Sequence, residues 1–125
     1  MSELRGVVVS HAALAKALVE AVHAISGVEG ALTAVSNDGC DPAALRRQIE
    51  AARGTGPAVL FVDLPGGSCL ASAVRLAHGQ PELAVVTGVN LAMLLDFVFH
   101  RDLSPDEAAR RAAEAGGKAI RVPAA

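Results

Sequence analysis

Four short apolar runs rich in β-branched residues, each followed by a stretch of helical periodicity, limit this chain to few architectures. They are Gly6-Val7-Val8-Val9, Ala31-Leu32-Thr33-Ala34-Val35, Pro57-Ala58-Val59-Leu60-Phe61-Val62 and Leu83-Ala84-Val85-Val86-Thr87. The runs scarcely alternate between apolar and polar residues, so each strand must be covered on both faces. Strands of that kind separated by helices predict an α/β fold around an open parallel sheet, with helices on both faces. The first helix is predicted from about Ala12 to Ile25, where Leu14, Leu18, Val22 and Ile25 make one apolar stripe. Asp41-Pro42 opens the second, an N-cap acceptor followed by proline at the first helical position. The third is predicted from about Ser68 to Ala77, and the fourth through Leu91, Leu94, Leu95 and Val98. Ser104-Pro105-Asp106-Glu107 starts a fifth, its acidic first turn matched to the positive end of the helix dipole. That helix is expected to stop near Gly116-Gly117, which leaves Lys118 to Val122 for a short fifth edge strand, the preferred reading, or a frayed helical end.

Composition narrows the function. The 125 residues read as a single domain, 1–125, without internal repeat or linker. Apolar residues make up 52% of the chain and aromatics 2%, so the core must be aliphatic. Eleven Lys and Arg against thirteen Asp and Glu provide no basic face for nucleic acid. No apolar run approaches the roughly 20 residues of a membrane helix. The N-terminus lacks a secretory pattern, and a cytoplasmic location is expected. Cys40 and Cys69 are too few for a disulfide framework or a four-ligand zinc site. No Walker A loop, dinucleotide fingerprint or zinc spacing is present, so no cofactor or metal is expected.

In an open α/β sheet the ligand crevice lies beyond the carboxyl ends of the strands, where strand order reverses. Ser10 and His11 follow the first strand; Asp63 and then Gly66-Gly67-Ser68 follow the third. If those strands are neighbours, His11 and Asp63 face one another across the crevice. A carboxylate can hold the proton on one imidazole nitrogen and leave the other free as a nucleophile. The Gly-Gly-Ser turn at a helix start can bring backbone N–H groups and a hydroxyl to an anion. That set fits histidine phosphorylation better than hydrolysis, although Ser68 would serve equally as an ordinary N-cap.

Three segments carry a resemblance: Val7 to Ala15, Leu60 to Ser68, and Gly88 to Asp96. Together they resemble the mannose/fructose-class IIA components of the bacterial phosphoenolpyruvate-dependent sugar phosphotransferase system. The resemblance implies phosphorylation on His11, orientation of the ring by Asp63, and phosphate binding by Gly66, Gly67 and Ser68. It also implies a sheet of order 2-1-3-4 and a fifth antiparallel strand exchanged in a homodimer, which would suit Lys118 to Val122. The partners it implies are an HPr-type phosphocarrier as donor and a IIB component as acceptor for sugar uptake. A regulatory module whose phosphorylation state controls a protein partner, without sugar transport, is the alternative. The chain departs from the family pattern at Ala12, where Gly is frequent, at Pro65 before the two glycines, and at Ala92 before Met93.

Other residues have plainer readings. His23, His78 and His100 lie in or near helix ends, where a surface position accounts for them. Arg46-Arg47 and Arg110-Arg111 read as solvated helix faces, and Asn90 as a loop-shaping residue with a place lining the site as the alternative. Cys69 after Ser68 and Cys40 after the second strand are placed near the crevice but read as non-catalytic. A receiver-type domain would carry its phosphorylated carboxylate near Asp63, but needs an acidic Mg²⁺ pair where this chain has Ser10-His11.

Overall fold

Each apolar run forms a strand in the computed structural model, which describes residues 3–124. In chain order the elements are β1 (Arg5–Ser10), α1 (Leu14–Ser26), β2 (Leu32–Ser36), α2 (Pro42–Arg53) and β3 (Ala58–Val62). There follow α3 (Gly67–Ala77), β4 (Leu83–Thr87), α4 (Leu91–Val98) and α5 (Pro105–Lys118). The four strands are parallel in the order β2-β1-β3-β4, as expected.

Side-chain alternation splits the interior into two layers. Val8, Val59 and Phe61 face α1, α4 and α5, while Val7, Val9, Leu60 and Val62 face α2 and α3. All five residues of β3 are fully buried, which is why the run carries no polar residue. Asp41 and Ser104 cap α2 and α5 as their positions require, accepting from Ala44 N and Glu107 N. Asn90 does the same for α4, accepting from Met93 N at 2.9 Å.

The C-terminal segment departs from expectation. Helix α5 ends at Lys118, one residue past Gly117, but residues 119–124 form no strand among the described residues. Gly116 marks a helix crossing: a Cβ there would lie 3.0 Å from Met93 Cβ, and its carbonyl accepts from Asn90 Nδ2 at 3.1 Å. Helical hydrogen bonding thus takes up Lys118, and Ile120 and Val122 stand exposed without a sheet partner. The two glycines should respond oppositely to alanine. Gly116→Ala is expected to destabilise by about 1–3 kcal/mol through overpacking against α4. Gly117→Ala, with open space around the added methyl, should stabilise by about 0.5–1 kcal/mol through helix propensity. Urea denaturation of both variants measures the difference in sign.

Candidate functional site

The chain leaves β1 for β2 on one side and later enters β3 on the other, so strand order reverses between β1 and β3. Val9 pairs with Val62, which brings the residues just after both strands to the same level. His11 and Asp63 meet there. The His11 backbone N–H donates to Asp63 Oδ2 at 3.0 Å, and His11 Nδ1 lies 2.8 Å from the same oxygen. Asp63 Oδ1 accepts from Leu64 N–H at 3.0 Å.

Local structure holds the histidine in place. Ser10 is buried, and its hydroxyl accepts from Ala15 N–H at 2.7 Å while donating to the His11 carbonyl at 3.2 Å. The start of α1 is thereby tied to the end of β1 across the turn that carries the ring. Ala12 takes up the turn with φ of 52°, a left-handed conformation that strains a residue with a Cβ. Ser10 stood out in the sequence only as a strand end. Its bond to an N–H five residues on leaves no motif, because the turn had to be built first.

Burial raises the Asp63 pKa, but hydrogen bonds from the His11 N–H and ring, the His11 charge and the Leu64 N–H outweigh it. The carboxyl is held below its ordinary value. An ionised carboxylate only accepts, so Nδ1 must carry the proton it shares with Asp63. Neutral His11 therefore presents the lone pair on Nε2, the nitrogen away from Asp63. The Asp63 side chain is 8% exposed and the ring 44%, so the anchor is covered while the ring stays accessible.

Of the remaining sequence candidates, Gly66, Gly67 and Ser68 lie exposed at the start of α3. Gly67 needs its missing side chain, with φ of 87°. Gly66, not Ser68, is the N-cap; Ser68 falls in the first turn, where its N–H is one of those left without a helical acceptor. Cys69 follows it, fully buried, with Sγ 3.9 Å from His11 Nδ1, so this first turn lies against the ring. Burial and the Asp63 charge push the Cys69 thiol pKa up, against a smaller lowering from Ser68. Cys40 stays with its own loop, accepting from Gln48 Nε2 at 3.2 Å.

Residues 6–114 match the family model described as the PTS system fructose IIA component. The chain belongs to this family. Its fold is shared with solved IIA structures of low sequence identity. Phosphotransferase system component EIIA from Streptococcus agalactiae superposes with a TM-score of 0.87 at 17% identity, covering 95% of this chain and 96% of that one. The mannose/sorbose specific IIA subunit from Enterococcus faecalis gives 0.84 at 21% identity, covering 99% and 97%. A sigma-54 interaction domain protein from Enterococcus faecalis gives 0.76 at 12% identity, covering 94% and 93%. No curated protein matches the chain in sequence. Among the described residues no helix is long and apolar enough to cross a membrane.

Proposed function

We propose that this IIA-family chain is a phosphohistidine carrier, taking a phosphoryl group from an HPr-type protein onto His11 Nε2 and passing it to a IIB component for sugar uptake. The observation that carries this reading is the 2.8 Å contact between His11 Nδ1 and Asp63, which leaves Nε2 with its lone pair on a half-exposed ring. In the transfer the donor's P–N bond breaks as the Nε2–P bond forms, and the proton on Nδ1 stays beside Asp63. The imidazole then carries positive charge, which the ionised carboxylate stabilises. Donor and product are similar phosphoramidates, so positioning and electrostatics are the main demands on the protein. The amides of Gly67 and Ser68 and the Ser68 hydroxyl, at the positive end of α3, supply donors for phosphoryl oxygens. Leu14 and Leu64, exposed beside His11 and Asp63 in sequence, offer apolar area to a carrier protein.

The chain acts, in this reading, as one cytoplasmic domain within a homodimer. The edge of β4 and the adjoining face of α5 form an open groove lined by Leu83 to Thr87, Ala109 and Ala113. A second copy's residues 119–124 would cover it and bury Ile120 and Val122. Sedimentation of the full chain should therefore give a dimer mass, and a monomer at high concentration overturns that part.

Incubation with phosphoenolpyruvate, enzyme I and HPr should place one acid-labile phosphate on the chain, read by intact mass. No incorporation overturns the carrier reading. Chase of the label onto a IIB protein supports transport; failure of the chase, with a pulldown partner that changes on phosphorylation, supports regulation instead.

A further inference from the structure

We propose that His11, Asp63 and Cys69 also form a binding site for a zinc-class divalent cation, and that the ion holds His11 in the tautomer that cannot be phosphorylated. His11 Nδ1, a carboxylate oxygen of Asp63 and Cys69 Sγ all lie within 4.8 Å of one another. Nδ1 is 2.8 Å from Asp63 Oδ2 and 3.9 Å from Cys69 Sγ. Zinc bonds of about 2.0–2.3 Å in tetrahedral array separate neighbouring ligand atoms by roughly 3.3–3.7 Å. The two separations from Nδ1 must open and close by a few tenths of an ångström, which a small turn of the half-exposed ring supplies. The third, between the carboxylate oxygen and Sγ and no more than 4.8 Å, must close by up to about 1 Å through the Cys69 and Asp63 side chains.

The donor set is chemically apt. Imidazole, thiolate and carboxylate are the ligands zinc and its neighbours prefer, whereas Mg²⁺ takes oxygen ligands. Asp63 spends one lone pair of each oxygen on the N–H groups of His11 and Leu64, and an ionised carboxylate keeps others for a metal. A divalent ion with one carboxylate and one thiolate is a neutral assembly, which suits a thiol that is fully buried.

Proton bookkeeping links this site to phosphoryl transfer, and that link rests on the function proposed above. Without metal, Nδ1 carries the proton and Nε2 the lone pair. Metal binding needs the lone pair of Nδ1, so the ring proton moves to Nε2 and the nucleophile is lost. The Cys69 thiol gives up its proton to solvent, one proton per ion bound. Conversely, a phosphoryl group on Nε2 keeps the proton on Nδ1 and closes the site to metal.

The test is an anaerobic titration of the full chain with Co²⁺, which requires no phosphoryl donor and so stands apart from the carrier assay. One equivalent should bring up a thiolate-to-cobalt charge-transfer band in the near ultraviolet, displaced by Zn²⁺ but not by Mg²⁺. Cys69→Ser should abolish the band and weaken Co²⁺ binding at least about 100-fold, with Cys69→Ala as a second variant. Proton release, followed with a pH indicator, should be one per ion in the parent chain. Absence of the band, or equal affinity in folded Cys69 variants, overturns the site. Where the chain is phosphorylated, Zn²⁺ should block labelling of the parent but not of Cys69→Ser; equal labelling of the parent with and without Zn²⁺ overturns the tautomer switch.

Discussion

Asp63→Asn should slow phosphorylation of His11 by roughly 10³–10⁴-fold, and His11→Ala should abolish it. The Asn side chain has one oxygen where Asp63 uses two, and the His11 and Leu64 N–H groups both claim it. The His11 N–H and Nδ1 both meet Oδ2, so an Asn oxygen in that place keeps the Nδ1 proton but turns its amide nitrogen on the Leu64 N–H and lacks the charge that stabilises the phosphorylated ring. Turned the other way, the amide nitrogen faces both His11 donors and drives the ring proton to Nε2, where the phosphoryl group has to go. The loss arises in a folded protein, and ¹⁵N chemical shifts of the ring tell the missing charge from the wrong tautomer. Rapid quench with HPr as donor measures the rate. An Asn variant that keeps the parent rate would remove Asp63 from the mechanism.

The same carboxylate leaves a mark on stability. Its folded pKa is lowered, so folding favours the ionised form. The contribution is fully present above the unfolded carboxyl value of about 3.9 and disappears as pH falls through the lower folded value. Unfolding free energies of the parent and Asp63→Asn should therefore converge in acid, as far as this group is concerned, and reach their full, constant difference above about pH 4.

Phe97→Ala should be strongly destabilising. The ring is fully buried in the layer between the sheet and α1, α4 and α5, with its centroid 5.0 Å from that of Phe61 in an edge-on pair at 71°. Removing it costs about 3–5 kcal/mol from lost burial, the cavity left behind and the aromatic pair. That lowers the melting temperature by about 15 °C in a domain of this size. Phe99→Ala, two residues on and 61% exposed, should change stability by no more than about 0.5 kcal/mol. Urea and thermal denaturation of the pair provide the comparison. Phe97 lies inside α4 and Phe99 at its C-cap, and apolar spacing alone does not separate the two rings.

The legible parts of the fold were those where local chemistry and tertiary demand agree. Asp41-Pro42 and Ser104-Pro105 mark helix starts because capping is satisfied within a few residues, whatever the helix packs against. Gly116-Gly117 placed the end of α5 to within a residue but hid the helix crossing, because a glycine that ends a helix and one that admits another helix look alike. The pair His11 and Asp63 was legible because strand ends are readable and a reversal in strand order brings two of them together. The nearness of Cys69 to the crevice was legible from its place after Ser68, but the bond of Ser10 to Ala15 N–H and the distance of Cys69 from the ring were not, since both depend on where α1 and α3 come to rest.

By itself, then, the sequence determined an α/β chain with His11 and Asp63 at strand ends and a Gly-Gly-Ser helix start, because periodicity and turn chemistry act over a few residues. Tertiary structure alone decided which oxygen meets which nitrogen, and with it the ring tautomer. It also brought a buried thiol to within 3.9 Å of Nδ1 from 58 residues away. Hydrogen bonds and ligand bonds are short, and contacts between residues so far apart in the chain exist only once the sheet has set the spacing of its strands.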